Sequence, residues 1–406
     1  MKILIYGLHF RPDLIGIGKY TGEMSDWFFN YGYDIRVITA PPYYPEWKLK
    51  HRFGWYKKEN NPYLIWRCPI YVPSQPKGFT RILHLLSFGI SSIPILLRNI
   101  SWKPDFIISI EPPFLTTPST ILYSKLTKSK SILHIQDLEI DAAYNLNILK
   151  KGFFYKIIQK IENILLNKFD IISTISPMMK KQIVQKGINN REIAILPNWA
   201  DTDKIHPEIN NKYLRDKLNV KSNQKVILYS GNIGEKQNLM SVINVAEKMQ
   251  SVNTNYIFLM VGDGAYKKRL VETVNKRNIT NIYFYQLQPI DDLGALLTLG
   301  DIHLVIQDKN ISDSVLPSKL SNILSAGGVS IISALKKTQL SQLVKNHGIG
   351  YLINPGSENE LYNAINYLLN NKSEHNTISI NARKYSEKYL SKDKILNNFV
   401  SNVLNN

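Results

Sequence analysis

Several short segments of this chain bring glycines, cations and carboxylates together at spacings that chemistry can use. Gly231-Asn232-Ile233-Gly234-Glu235-Lys236 directly follows an apolar run. Its glycines permit close backbone approach to a ligand, and Lys236 can place a cation on a phosphate; a solvated surface lysine is the plainer alternative. Val261-Gly262-Asp263-Gly264 ends the next apolar run and is either a second wall of the same pocket or an ordinary Asp-Gly turn. Pro317-Ser318-Lys319-Leu320 opens a helix that stops at Gly327-Gly328. The proline there is structural, while Ser318 and the free N–H groups of the first turn suit an anion or a sugar hydroxyl. Nearer the start, Gly16-x-Gly18 either sets backbone N–H groups against a diphosphate or serves turn geometry alone, since the third glycine of a dinucleotide fingerprint is missing.

Carboxylates cluster once. Asp137, Glu139 and Asp141 lie just past the apolar run that contains His134. Asp137, one step beyond the run, is the expected catalytic carboxylate: a carboxylate there orients a hydroxyl or acts as a base. His134 alternates with apolar neighbours and reads as a core histidine. Asp201-Thr202-Asp203 has the look of a metal-binding pair but falls in a connection between domains, so no metal is expected there.

The elements that must position these residues are strands and helices in alternation. Apolar runs at 3–6, 35–39, 106–110, 131–135 and 171–175 read as buried parallel strands, and the pattern restarts at 226–230, 256–261, 282–285, 302–306 and 329–333. Two α/β sheets with helices on both faces follow, joined near 197–203. The first domain is expected over about 1–200 and the second over 201–389, with the last helix, about 390–406, a candidate to pack back onto the first. Ligands of such sheets bind beyond the carboxyl ends of the strands, so two sheets facing each other would share one cleft.

The whole chain of 406 residues carries a formal net charge of +18. Residues 1–200 hold 26 Lys/Arg against 14 Asp/Glu, a net of 26 − 14 = +12. No zinc finger, RNA-recognition signature or basic heptad accompanies that charge, so nucleic acid is not an expected partner. An anionic membrane surface is one. Arg81 and Arg98 bracket 16 mostly uncharged residues that include Leu86, Phe88 and Pro94. That stretch falls short of the ~20 residues needed to span a bilayer and reads as a core helix or one lying in the membrane interface. A single cysteine, Cys68, excludes an internal disulfide framework, and the opening apolar run meets Arg11 too early for a signal peptide. A cytoplasmic protein, peripheral at the inner face of the membrane, is expected.

Taken in order, several segments resemble the family 4 glycosyltransferases of bacterial polysaccharide assembly. They are Gly16-Ile17-Gly18-Lys19-Tyr20-Thr21-Gly22-Glu23-Met24, Val37-Ile38-Thr39-Ala40-Pro41-Pro42-Tyr43-Tyr44-Pro45, Leu133-His134-Ile135-Gln136-Asp137, Pro197-Asn198-Trp199, Leu228 to Gln237, and Val315-Leu316-Pro317-Ser318-Lys319-Leu320. The resemblance implies a GT-B fold, two doubly wound parallel-sheet domains facing across a cleft. It implies a nucleotide-sugar donor on the second domain, a lipid-diphosphate-linked (polyprenyl) glycan acceptor on the first, and retaining transfer with no cofactor and no obligatory metal. GDP-fucose is the favoured donor. Its diphosphate would meet Lys236, Lys319 and the helix starting near Ser318, with Gly231, Asn232, Gly262 and Asp263 around it and the Gly16/Gly18 loop closing from the other side.

Four positions depart from the family pattern. Asn232 stands where many relatives have arginine, leaving most of the diphosphate charge to Lys236. Gln136 stands where many have a histidine before the carboxylate. Ser314 and Asn322 stand where many have two glutamates eight apart; Asn322 can still hydrogen-bond a ribose or sugar hydroxyl. Two rival readings share the fold: a nucleotide-sugar epimerase, and a non-catalytic nucleotide-sugar binding protein.

Overall fold

The computed structural model describes residues 1–13, 16–44, 47–49, 55–74, 78–141, 153–188, 193–251, 255–308 and 318–405. The chain divides into two compact units, Met1–Pro197 with Leu396–Asn406, and Asn198–Ile395.

The first unit is built on β1 (Lys2–Tyr6), β2 (Asp34–Thr39), β3 (Lys57–Asn60), β4 (Leu64–Arg67), β5 (Phe106–Glu111), β6 (Lys130–Ile135), β7 (Ile171–Thr174) and β8 (Ile193–Ile195). They form one sheet in the order β3-β4-β2-β1-β5-β6-β7-β8. Only β3 runs antiparallel, against β4. β5 is buried at all six positions, and Ile3, Leu4, Ile5 and Tyr6 of β1 are buried too, as strands covered by helices on both faces must be.

The second unit carries β9 (Lys225–Ser230), β10 (Tyr256–Val261), β11 (Ile282–Tyr285), β12 (Ile302–Val305), β13 (Ser330–Ser333) and β14 (Tyr351–Ile353), all parallel, in the order β11-β10-β9-β12-β13-β14. Both sheets thus start in the middle, grow outward to one side, and return to grow to the other. The strand order reverses between β1 and β5 in the first unit and between β9 and β12 in the second. Loops on either side of such a reversal diverge at the carboxyl ends of the strands and leave a crevice where ligands of this architecture sit.

The segment bracketed by Arg81 and Arg98 is helical, as Gly78–Ser91 followed by Ile93–Arg98, and long and apolar enough by length and composition alone to cross a membrane. Its two sides differ. His84, Phe88, Ile95 and Leu96 face the core. On the other side Phe79 (70% exposed), Leu83, Ile90 (65%), Ile93 and Leu97 (54%) recur at steps of three, four and seven residues and form an exposed apolar stripe. Phe88, expected at the membrane face, is instead 0% exposed, with its ring 5.9 Å from that of Tyr6. A helix presents residues 88 and 90 about 200° apart, which is why one of them is core and the other surface. Leu86 is half-buried, and Arg98 lies over the Trp66 ring at 5.2 Å.

Candidate active site

In the second unit the crevice is made by the loops that follow β9 and β12, with the loop after β10 behind. Tyr229 near the end of β9 donates its hydroxyl to the Asn232 carbonyl at 2.6 Å, and Ile233 N–H donates to the Asp263 carbonyl at 2.8 Å. The two glycine loops pack backbone on backbone: a Cβ on Gly262 would stand 1.9 Å from the Gly231 carbonyl oxygen. Gly262 therefore serves this close approach. Asp263 is exposed, and its carboxylate accepts from the next N–H, that of Gly264, at 2.8 Å, as in an Asp-Gly turn.

Lys236 is exposed, and its carbonyl accepts from Asp308 N–H at 2.8 Å, which ties the loop after β9 to the loop after β12 across the strand reversal. Lys319, in the first turn of the helix Ser318–Ser325, holds its ammonium 4.3 Å from the centre of the Tyr229 ring. Burial lowers its pKa to about 8, because the charged form loses hydration. Asn322, half-buried, is three residues further along the same helix and so on the same side. Lys236, Gly231, Asn232, Lys319 and Asn322 thus belong to elements that converge on one strand reversal. The Ser318 side chain, Pro317 and Ser314 lie outside the described residues.

In the first unit the carboxyl end of the sheet holds a cavity of about 230 Å³ lined by groups of a different kind. His9 and Asp13 come from the loop after β1, Tyr43 from the loop after β2, Arg81 and His84 from the helix Gly78–Ser91, and Glu139 from the segment after β6. His9 Nδ1 is 3.7 Å from Asp13 Oδ2. The Tyr43 hydroxyl lies 3.4 Å from His9 Nε2 and 2.9 Å from His84 Nε2, and His84 Nδ1 is 2.5 Å from the Tyr71 carbonyl. Glu139 accepts from Phe114 N–H at 2.8 Å; burial raises its pKa, with that N–H and Arg81 acting the other way. Asp137, exposed just past β6, is likewise raised by desolvation and drawn down by Arg81. Arg81 therefore acts on the carboxylates of this cavity as well as flanking the apolar stripe.

Gly16 and Gly18 also line this cavity, beside the chain's own Asp13. A Cβ on Gly18 would meet Asp13 Oδ2 at 2.6 Å. Gly18 is needed to admit the Asp13 side chain, which occupies the turn. One further carboxyl was missed by sequence reasoning. Glu111, the last residue of β5, is 1% exposed, and neither of its oxygens finds a hydrogen-bond partner among the described residues. Burial first, then the charges of Glu139, Glu162 and Asp137, raise its pKa well above the usual carboxylate value despite Lys186.

The remaining sequence candidates are structural. His134 is buried in β6, shares a hydrogen bond with Ser173 Oγ at 3.0 Å, and is kept neutral by a pKa lowered to about 4. Asp201 is turned to Lys392 at 3.3 Å and accepts from Lys204 N–H. A larger cavity of about 750 Å³ also exists in the first unit, but it lies at the amino-terminal ends of β6 and β7, beside Lys130, Asp170 and Phe399. That is the wrong end of a parallel sheet for catalysis.

Residues 16–199 match the glycosyl transferase 4-like domain, and residues 210–385 match glycosyl transferases group 1. The chain is 41% identical over 411 residues to the putative colanic acid biosynthesis glycosyl transferase WcaI of Escherichia coli (strain K12), covering 99% of this chain and 100% of that protein. Among solved structures, sucrose-phosphate synthase from Thermosynechococcus elongatus superposes with a TM-score of 0.73 at 14% identity, over 98% of this chain and 97% of the other. Anabaena Alr3699/HepE in complex with UDP and glucose gives 0.70 at 14% identity, over 100% and 99%. These likenesses give the two-domain GT-B fold. With one family domain matched in each half and a relative matched along its full length, the chain belongs to the glycosyltransferases of the group 1 and 4-like families.

Proposed function

We propose that this glycosyltransferase moves a sugar, with fucose from GDP-fucose favoured, from a nucleotide donor to a lipid-diphosphate-linked acceptor during exopolysaccharide or capsule assembly. The observation that carries the reading is the charge placed at the two strand reversals. In the second unit the loops beside β9 and β12 bring Lys236 and Lys319, which suit a departing diphosphate. In the first unit the corresponding crevice presents His9, Asp13, Glu139 and nearby Asp137, which suit hydroxyl groups. The donor accordingly belongs to the second unit, the acceptor to the first. Resemblance to WcaI supports polysaccharide assembly, and that of the UDP-bound Anabaena protein supports a nucleotide-sugar donor. Family membership favours transfer over epimerisation or binding without turnover.

Retention of configuration is part of the proposal. Charge then develops on the leaving diphosphate and on an oxocarbenium-like sugar; the two lysines meet the first, and Asp137 orients the acceptor and steadies the second. Cations of the chain take the place of an obligatory metal. The apolar stripe of Phe79, Ile90 and Leu97, with Arg98 beside it, is proposed to rest on an anionic membrane that carries the lipid-linked acceptor. A mass-spectrometric screen of nucleotide sugars with a bacterial membrane lipid extract tests the whole reading. A new glycolipid from one donor supports it; an epimerised nucleotide sugar without any glycolipid refutes it.

A further inference from the structure

We propose that the first unit meets an anionic bilayer through three neighbouring helical segments rather than one, so that its sheet lies flat on the membrane and its carboxyl-end cavity opens sideways at headgroup depth. The inference rests on the membrane reading above and gives it an extent and an orientation.

The stripe on Gly78–Ser91 and Ile93–Arg98 does not stand alone. The turn Phe114–Thr116 and the helix Thr117–Thr127 that follows it expose Leu115, Leu122 and Leu126, at steps of seven and four residues. The helix Phe153–Leu166 exposes Ile157, Ile161 and Ile164, at steps of four and three. All three segments belong to one side of the sheet. The Tyr6 hydroxyl on β1 shares hydrogen bonds with Ser92 Oγ at 2.5 Å and Ser119 Oγ at 3.3 Å, and Tyr123 donates to the Asn99 carbonyl at 2.9 Å. A Cβ on Gly89 would stand 3.5 Å from the Leu115 carbonyl oxygen, so the first stripe runs into the second. Ile121 and Leu166 share one core cluster beneath the second and third segments. The parallel crossovers from β4 to β5, β5 to β6 and β6 to β7 all step the same way along the sheet, which puts right-handed connections on the same face.

Charge decides what covers this face. Its four helices hold Arg81, Arg98, Lys125, Lys156 and Lys160, all exposed. Their one carboxylate, Glu162, is 1% exposed and turned to Lys186 at 2.7 Å. The helix Gly16–Asn30 makes the crossover from β1 to β2, which steps the other way and so lies on the opposite face; it carries two carboxylates, Glu23 and Asp26. A second copy docked through the same face would set cation against cation. Apolar stripes with only positive charge exposed between them match acyl chains beneath anionic headgroups. Crossover helices run antiparallel to the strands they join. Contact through one helix leaves the unit free to roll, whereas contact through three fixes the sheet parallel to the bilayer. The carboxyl ends of the strands then point along the membrane surface. Arg81, which lines the cavity there and sits in the first helix of the apolar face, stands where the two join. A lipid-linked acceptor, with its diphosphate at the headgroups, enters that cavity without leaving the bilayer.

The test places one environment-sensitive NBD label at a time at Ile90→Cys, Leu122→Cys, Ile161→Cys or, on the opposite face, Asn30→Cys; the native Cys68 is buried and stays unlabelled. Vesicles of equal parts phosphatidylglycerol and phosphatidylethanolamine at low salt should shift the first three labels to the blue, and nitroxide lipids should quench them, with the Asn30→Cys label unchanged. Entry of the Ile90→Cys label alone, with those at Leu122→Cys and Ile161→Cys still in water, would confine contact to the first segment and overturn the inference while leaving membrane binding standing. No entry by any label would instead remove the membrane reading itself. Blue shifts that arise without vesicles and grow with protein concentration would assign the face to a second copy and also overturn it. On the unlabelled protein, Leu122→Ser with Ile161→Ser should lower partition onto the same vesicles about 10–100-fold at unchanged Tm, since two apolar side chains no longer enter the interface. Unchanged partition would sink the wider face.

Discussion

Raising the pH should release the donor nucleotide, because of Lys319. Burial lowers the pKa of this lysine to about 8, with its ammonium over the Tyr229 ring. An arriving diphosphate favours the charged form, so binding is strong where Lys319 is protonated and weakens as pH rises through about 8. Protonation falls from about nine-tenths at pH 7 to about one-thirtieth at pH 9.5, so affinity that depends on this charge drops by roughly 30-fold, or about 2 kcal/mol. That is the size of one charge-assisted contact, about 1.5–3 kcal/mol. Binding below pH 8 should take up few protons and binding near pH 8.5 a larger fraction of one, read by titration calorimetry of a nucleoside diphosphate in buffers of different ionisation enthalpy. Lys319→Met should bind weakly at every pH and lose the step near pH 8. A wild-type affinity that is flat from pH 7 to 9.5, or a Lys319→Met protein that keeps the same step, would refute the reasoning.

Other outcomes follow from the same structure. Lys236→Ala should weaken nucleoside diphosphate binding about 10–150-fold on a folded protein, measured by calorimetry and circular dichroism, since one charge-assisted contact is lost. Asp137→Asn should bind donor normally yet turn over orders of magnitude more slowly, whereas His134→Gln should cost stability, seen by comparing kcat with Tm. Ser at Phe79, Ile90 and Leu97 should loosen attachment to anionic vesicles in a sedimentation assay, and salt should loosen it further; Phe88→Ser should instead destabilise the fold by about 3–5 kcal/mol, as deletion of a buried aromatic does. His134 and His303 both have folded pKa values lowered to about 4 against an ordinary 6.5. The unfolded chain therefore binds more protons between those values. Stability is full above pH 6.5 and should fall by up to about 3 kcal/mol per histidine on the way to pH 4, followed by urea unfolding. Glu111 works with the opposite sign: its folded pKa is raised, so stability is lost as pH climbs above 4.5. The advantage of Glu111→Gln over the native protein should grow by about 1.4 kcal/mol per pH unit over that climb until the raised value is reached.

The fold was legible wherever burial on both faces writes a continuous apolar run. β1, β2, β5, β6 and β7, and β9 to β13, each coincide with such a run. β3, reading Lys-Lys-Glu-Asn, was not legible, because an edge strand needs no apolar side and charge there blocks further pairing. β8 and β14 are three-residue edge strands, too short to show a period. The residues proposed to meet the donor stand out in the sequence for a similar reason: they follow β9 closely or open one helix. The cavity of the first unit does not stand out. His9, Tyr43, His84 and Glu139 come from four separate elements, each looks ordinary alone, and only the strand order brings them together. The histidine two residues past the first glycine of the chain was the one local signal. Helical phase was also misjudged at 81–98, where a run read as a whole hides the difference between Phe88 and Ile90.

In the first half the net charge and the charge of the crevice have opposite signs. The first 200 residues carry +12, which suggests that a phosphorylated ligand belongs to that half. Yet the carboxyl end of its sheet gathers Asp13, Glu111, Asp137 and Glu139 around two histidines and one arginine. Long-range charge and local charge do different jobs: the first draws a protein to an anionic surface, the second decides what a crevice binds once there. In the second half, nearer neutrality at 24 − 18 = +6, lysines reach the strand reversal. The same βα topology therefore holds a cation-lined crevice in one unit and an acid-lined crevice in the other. A transferase needs this pair, because a leaving diphosphate must be met by positive charge while an attacking hydroxyl must lose its proton.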